Sequence, residues 1–160
     1  MNLPTQSSPG IVVVDANIFI AICSKEPSEA TARVALADYT TRNWDFYAPN
    51  VILSEVLFAL CRKLSEGTID AAIHKKAVED FKLSFLPALS FPPMGDAALY
   101  TRAEEIRSGY SCLHSTDCFY LALTEEFAKS GPAEFLTFDK RVVNVSASNA
   151  PAVKVNLLPT

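Results

Sequence analysis

The stretch Ile11-Val12-Val13-Val14-Asp15 is an unbroken run of β-branched residues that ends in an acid. A short apolar run of this kind is typical of a strand that is covered on both faces, as in parallel sheets flanked by helices. We therefore expect residues 11–14 to form a central strand. Asp15 would then stand at the carboxyl end of that strand, and this is the edge of an open α/β sheet at which ligands collect.

Beyond this strand, the chain alternates between helix and strand patterns. Apolar periodicity and turn residues predict helices over residues 17–24, 28–42, 51–65, 69–85, 97–108 and 117–129. Further strands are predicted over residues 46–48, 86–91, 134–138 and 154–158. The expected helix caps are Ser28, Thr68, Asp96 and either Ser115 or Thr116. This alternation predicts a three-layer α/β/α sandwich around a mainly parallel sheet, with residues 11–158 as a single domain and residues 1–10 as an N-terminal extension.

Composition limits what the chain can do. With 160 residues, of which 49% are hydrophobic, it is long enough for one compact domain. The net charge of -4 and a pI near 5.2 argue against binding nucleic acid through a broad basic surface, so such a role would need local basic groups and a bound metal. The cysteines and histidines show no zinc spacing, and no signal peptide or membrane span is recognisable, so we expect a cytoplasmic protein.

Four acids occupy positions at the ends or flanks of apolar segments, where acids are normally avoided: Asp15, Glu55, Asp117 and Asp139. An isolated ionised carboxylate beside a core is unfavourable unless a cation or hydrogen-bond donors compensate it. A shared divalent metal is the simplest compensator, and hard oxygen ligands select Mg²⁺ or Mn²⁺. The reaction class that follows is hydrolysis of phosphodiester bonds by a water that the metal activates.

The acids lie in four short motifs whose order and spacing extend over nearly the whole chain. These motifs are Val13-Val14-Asp15-Ala16-Asn17, Ser54-Glu55-Val56-Leu57, Ser115-Thr116-Asp117-Cys118-Phe119 and Leu136-Thr137-Phe138-Asp139-Lys140-Arg141. Together they resemble the PIN-domain nucleases, in particular the VapC-type toxins of bacterial toxin–antitoxin pairs. The resemblance implies a PIN-like fold and a metal-dependent endoribonuclease that leaves a 5′-phosphate and a 3′-hydroxyl.

The same resemblance implies roles for particular residues and partners. The four acids would be direct or water-mediated ligands of one or two Mg²⁺ or Mn²⁺ ions. Supporting roles would fall to Asn17, Thr116 and Thr137. The implied partners are an RNA substrate, a second copy of the chain in a homodimer and a VapB-type antitoxin that covers the active-site groove.

Local basic residues are the candidates for contacts with RNA phosphates, because the overall charge is negative. Lys140 and Arg141 follow Asp139 directly. Arg62 and Lys63 lie on the predicted helix that carries Glu55, and they are weaker candidates for the same role.

Two other functions remain open from the residues. A strand that ends in Asp also begins the phosphatases of haloacid-dehalogenase type, in which the Asp is a nucleophile, but Asp15-Ala16-Asn17-Ile18 lacks the second acid of their motif. The non-enzymatic alternative is a PIN-like module that binds RNA or protein without cutting. Taken singly, Asp15 and Asp139 could also be turn acids, and Asp117 could favour the positive end of its own helix.

Overall fold

The computed structural model of the protein describes residues 9–109 and 116–160. Within them, four strands form a parallel sheet in the order β2-β1-β3-β4. The strands are β1 (Ile11–Val14), β2 (Asp45–Tyr47), β3 (Ala133–Thr137) and β4 (Lys154–Leu157). The prediction that residues 11–14 form a central strand is confirmed, because β1 pairs with both β2 and β3. Val12, Val13 and Val14 have no solvent exposure, as expected for a strand that is covered on both faces.

Helices flank this sheet, so the predicted α/β/α class is confirmed. They are α1 (Ala16–Cys23), α2 (Glu29–Thr41), α3 (Val51–Ser65), α4 (Ala71–Asp80), α5 (Tyr100–Ser108), α6 (Asp117–Ala128) and α7 (Lys140–Asn149). The core lies between the sheet and the apolar faces of these helices. In the described ranges, no helix is both long enough and apolar enough to cross a membrane.

The predicted edge strand over residues 86–91 is wrong. A π-helical turn, Phe81–Phe85, continues α4, and a 3-10 turn, Leu86–Ala88, follows it. Pro87 suits the first turn of such a helix, because its fixed φ is already helical. The strand pattern survives only at Ser90, which forms a single parallel bridge with Tyr47 at the edge of the sheet.

Two predicted caps act elsewhere. Asp70 caps α4 by accepting a hydrogen bond from the Ile73 amide at 2.8 Å, whereas Thr68 donates to the carbonyl oxygen of Lys63 at 2.9 Å. Asp96 does not cap its own helix. Its carboxylate accepts hydrogen bonds from the amides of Asn50 and Val51, at 2.7 and 2.8 Å, and so caps the start of α3. An acid stabilises the positive amino end of a helix in this way.

Ser28 stands at the cap position of α2 but makes no capping hydrogen bond through its side chain. The start of α6 tests the last predicted cap. Ser115 lies outside the described residues. Thr116 immediately precedes α6 but makes no capping hydrogen bond through its side chain. Asp117 is the first residue of the helix, as predicted, and it places a carboxylate where the amino-terminal amides of a helix favour negative charge.

Helix α7 was not predicted. It begins directly after Asp139, whose carboxylate caps it by accepting from the Arg141 amide at 2.8 Å. Only Val142, Val145 and Ser146 are buried along its ten residues. Three buried positions between polar residues give a weak periodic pattern, which is why the segment could be taken for a loop.

A buried acid also lies near the amino end of the sheet. Glu134 in β3 is only 6% exposed, and its two carboxylate oxygens accept hydrogen bonds from Lys154 Nζ at 2.6 Å and from the Tyr39 hydroxyl at 2.5 Å. Asn156 donates to the same Tyr39 oxygen at 2.8 Å. Burial is the largest single influence on the pKa of Glu134 and acts to raise it, but the hydrogen bonds from Lys154 and Tyr39, together with the charges of Lys154 and Arg42, lower the pKa. We call this group the compensated acid.

Candidate active site

Asp15 lies where β1 turns into α1, and it is only 6% exposed. It caps α1, with its Oδ1 atom 3.4 Å from the amide nitrogen of Asn17. Its other oxygen, Oδ2, accepts hydrogen bonds from the Asn17 side chain at 2.7 Å and from the Thr137 hydroxyl at 2.5 Å. A buried carboxylate is thus held in one orientation by neutral donors from the ends of two neighbouring strands.

Thr137 joins the first and last acids of the predicted set. Its Oγ1 atom donates to Asp15 and accepts hydrogen bonds from the Asp139 amide at 2.9 Å and from Asn17 Nδ2 at 3.1 Å. The Asn17 side-chain oxygen in turn accepts from the Phe138 amide at 3.3 Å. Thr137 is fully buried. Asn17 and Thr137 therefore lie where supporting residues of the site were predicted, between β1 and β3.

Glu55 projects from α3 toward α6, where it meets Tyr120, a residue that was not among those predicted for the site. The Tyr120 hydroxyl donates to Glu55 Oε2 at 2.5 Å, and the Tyr120 ring stacks on Phe135 with centroids 5.5 Å apart. Burial, followed by the nearby Glu55 charge, raises the pKa of Tyr120 well above its usual range, so its hydroxyl keeps the proton that it donates. The signal in the sequence is its position three residues after Asp117, on the same helical stripe.

The two central acids, Asp15 and Asp117, feel the charge of the others. Burial raises the pKa of Asp15 to about 7, with Asp117 and Glu55 adding to the rise and the Thr137 hydrogen bond opposing it. Burial also raises the pKa of Asp117 to about 7, helped by Asp139 and Glu55. Like charges this close cannot all stay ionised without a compensating cation. Charge interactions thus link the four predicted acids, with Asp117 interacting with each of the other three, and we call the four acids the acidic cluster.

The predicted phosphate contacts occupy different settings. Lys140 is exposed at the start of α7, whereas the Arg141 guanidinium pairs with the Asp139 carboxylate, with Nη2 2.5 Å from Oδ2. Arg62 lies 3.6 Å from Glu66 one turn further along α3, and Lys63 pairs with Glu26 at 2.7 Å. Lys140 and Arg141 therefore lie beside the acidic cluster, and Arg62 and Lys63 have acidic partners of their own.

The donor chemistry of the acidic cluster fits a hard divalent cation. Four carboxylates supply oxygen ligands. The pKa values of Asp15 and Asp117 are raised mainly by burial, and both acids also have acidic neighbours whose charge a cation would offset. As the side chains stand, no three acid, histidine or cysteine side chains in the described ranges form a ready ligand set. Glu55 is bonded to Tyr120 and Asp139 to Arg141, so both outer acids already have a partner in this arrangement.

Comparison with known proteins adds two likenesses. The PIN domain family matches residues 12–147 of the chain. A chain in the crystal structure of VapBC2 from Rickettsia felis, bound to a DNA fragment from their promoter, superposes with a TM-score of 0.61 and 12% sequence identity. The superposition covers 93% of this chain and 99% of that one, and it shows a shared fold. A search of curated proteins gave no match.

Proposed function

This chain belongs to the PIN-domain family, and from that premise we propose that it is a Mg²⁺- or Mn²⁺-dependent endoribonuclease. PIN domains are nucleases, so hydrolysis of nucleic acid is the general activity. RNA as substrate, the metal and the residue roles are our proposal. The observation that supports it is the acidic cluster itself, in which burial, with the charge of neighbouring acids adding to it, raises the pKa of Asp15 and of Asp117 to about 7.

The residues of the cluster have separate roles in this proposal. Asp15 and Asp117 are the central ligands, and Glu55 and Asp139 complete the set from α3 and the start of α7. When bound, Mg²⁺ or Mn²⁺ lowers the pKa of water and offsets charge on the scissile phosphate. Thr137 and Asn17 fix the direction of the Asp15 carboxylate through hydrogen bonds to it at 2.5 and 2.7 Å.

The remaining candidates act around this centre. Thr116 immediately precedes Asp117, and its carbonyl oxygen accepts a hydrogen bond from the Phe119 amide at the start of α6. Lys140 and Arg141 supply positive charge next to Asp139, and Arg62 adds to it from α3, so that RNA binds through few basic contacts. This arrangement suits a chain whose net charge is -4.

The biological setting that we propose is a type II toxin–antitoxin pair, with this chain as the toxin. Its motifs resemble those of VapC-type toxins, and its fold is shared with a chain of the VapBC2 structure. A VapB-type antitoxin and a second copy of the chain are then its protein partners. Expression of the chain alone in a bacterial host should arrest growth, and co-expression with the proposed VapB-type antitoxin should restore it.

Cleavage of matched RNA and DNA oligonucleotides tests the activity. Purified protein should cut end-labelled RNA internally with Mn²⁺, should stop when EDTA is added and should recover with excess Mn²⁺. Mass spectrometry should find 5′-phosphate ends on the products. Cleavage that persists in EDTA, or cleavage of DNA in preference to RNA, would contradict the proposal. Release of phosphate from small esters through an aspartyl-phosphate would favour the phosphatase alternative instead.

A further inference from the structure

Arg141 is bonded to Asp139 through its side chain as well as its backbone. The guanidinium Nε lies 3.0 Å from each carboxylate oxygen, and Nη2 lies 2.5 Å from Oδ2. The Arg141 amide separately donates to Oδ1 at 2.8 Å, which is the capping bond of α7. The two oxygens of Asp139 therefore make different main contacts. Oδ1 accepts the helix cap, and Oδ2 takes the closest contact with the guanidinium.

The charge of Arg141 reaches beyond Asp139. Asp117 lies close enough for the guanidinium to lower its pKa, against the larger effects of burial, Asp139 and Glu55. The Asp139 side chain is 18% exposed, whereas that of Arg141 is 59% exposed, so the guanidinium approaches the cluster from the solvent side. Arg141 thus partly neutralises the same acids that a divalent ion would bind.

We propose that Arg141 is an internal competitor of the divalent cation for Asp139. Two cations cannot share the Asp139 Oδ2 atom at hydrogen-bonding and ligand distances without strong mutual repulsion. Binding of the ion at Asp139 therefore displaces the guanidinium from Oδ2, while the backbone cap on Oδ1 remains. The inference rests on the proposed function, because it assumes that the acidic cluster takes a divalent ion.

The partner of Glu55 shows why the charge of Arg141 matters. Glu55 is also engaged, but its donor is the neutral hydroxyl of Tyr120. A neutral donor can remain beside a carboxylate that binds a cation, because it adds no positive charge to the site. A guanidinium adds a full charge, so its removal should raise the metal affinity of the site. Removal of a hydrogen bond alone has no such general consequence.

Isothermal titration of the metal-free full chain with Mn²⁺ tests this inference, using wild type, Arg141→Gln and Lys140→Gln. The Arg141→Gln variant should bind Mn²⁺ about tenfold more tightly at low salt, because a neighbouring positive charge has been removed. Lys140→Gln is the matched control, since it removes an exposed charge of the same sign from the adjacent residue. Its affinity should change much less. Arg141→Lys keeps the charge and should stay near wild type.

Salt and thermal stability separate competition from a structural role. The difference in Kd between wild type and Arg141→Gln should shrink in 0.5 M salt, at which charges are screened within about 3–5 Å. Saturating Mn²⁺ should raise the Tm of Arg141→Gln more than that of wild type, because tighter binding stabilises the folded state further.

The outcomes also separate this inference from the proposed function. If wild type binds Mn²⁺ and Arg141→Gln binds it equally or more weakly, the competition is refuted and the nuclease proposal stands. If only the variant binds, the competition is supported in its strongest form. If neither protein binds Mn²⁺, the metal dependence fails, and the competition fails with it.

Discussion

Two buried acids at opposite ends of the central strands are equally exposed to solvent, but their pKa values are shifted in opposite directions. Asp15, after β1, and Glu134, in β3, are each 6% exposed. The pKa of Asp15 is raised to about 7, mainly by burial, and that of Glu134 is lowered. The difference lies in their partners. Glu134 is compensated by the charge of Lys154 and a tyrosine hydroxyl, whereas Asp15 has neutral donors and two acidic neighbours.

Burial by itself therefore does not mark a functional acid. The compensated acid is satisfied by its own chain, as a structural residue should be. The acidic cluster concentrates negative charge that the chain balances only in part, through Arg141 at its solvent side. Such incomplete compensation is typical of sites that receive an external cation.

Replacement of Asp15 should have the largest effect on this contrast. Asp15→Asn should lower RNA cleavage at least about a thousandfold, which corresponds to about 4 kcal/mol, because a central ligand of the proposed metal is lost. The variant should remain folded, since removal of one carboxylate relieves repulsion in the metal-free protein. Cleavage rates and circular dichroism measure the two effects. Asp38→Asn removes an exposed acid and is the matched control; equal activity of Asp15→Asn and this control would refute the assignment.

Replacement of Glu134, at the other end of the strands, should change the stability of the protein rather than its activity. Glu134→Gln should reduce the free energy of unfolding at pH 7 by about 1–3 kcal/mol, because one oxygen that accepts from Lys154 or Tyr39 becomes an amide donor. Urea unfolding measures this change. RNA cleavage per folded molecule should stay unchanged. Glu126→Gln, which removes an exposed acid paired with Lys129, is the control and should change stability little. A loss of activity without a loss of stability would reverse the comparison.

Asp15 and Glu134 should make contributions of opposite sign to the pH dependence of the free energy of unfolding. In the folded protein the pKa of Asp15 is raised from 3.8 to about 7, so the folded state binds more protons and its stability falls as pH rises across that window. As the pH rises from 4 to 7, the free energy of unfolding of metal-free Asp15→Asn should therefore increase relative to that of wild type. The increase should be at least about 1.4 kcal/mol, the value of one pKa unit. Above about pH 7 the gain should level off.

The compensated acid supplies the opposing half of this measurement. The pKa of Glu134 is lowered from 4.5 in the folded protein, so its contribution is present above that value and is lost as pH falls through its folded pKa. The difference in free energy of unfolding between wild type and Glu134→Gln should therefore shrink below pH 4.5. Urea titrations from pH 3 to pH 8 with EDTA present follow both variants. A gain for Asp15→Asn that does not depend on pH would show that relief of charge is not its cause.

Much of the architecture could be predicted from local patterns. The valine run of residues 11–14 and the apolar run of residues 134–138 specify buried strands, and the acids that follow them mark the carboxyl edge of the sheet. Glu55 and Asp117, on the helices predicted over residues 51–65 and 117–129, were expected to join these acids as ligands of a shared metal. These features depend on periodicity and chain order, both of which are visible without coordinates.

What could not be predicted depends on contacts between distant segments. Asp96 caps α3 across 46 positions, and Tyr120 donates to Glu55 across 65 positions. Lys154 and Tyr39 reach Glu134 only after β4 has paired with β3 and the fold has brought Tyr39 of α2 to Glu134. The pairing of Arg141 with Asp139 is local, but it requires α7 to start there, and the sparse apolar pattern of α7 concealed that start.

The placement of the single tryptophan has a spectroscopic consequence. Trp44 packs against Tyr39, with ring centroids 5.3 Å apart, and beneath the Arg42 guanidinium. It also lies so close to Gly10 that a Cβ atom there would overlap the indole. The only tryptophan of the chain thus lies just before β2, at the amino end of the strands. Its fluorescence should report unfolding at this end of the strands. That signal is separate from changes at the acidic cluster, which lies at the other end.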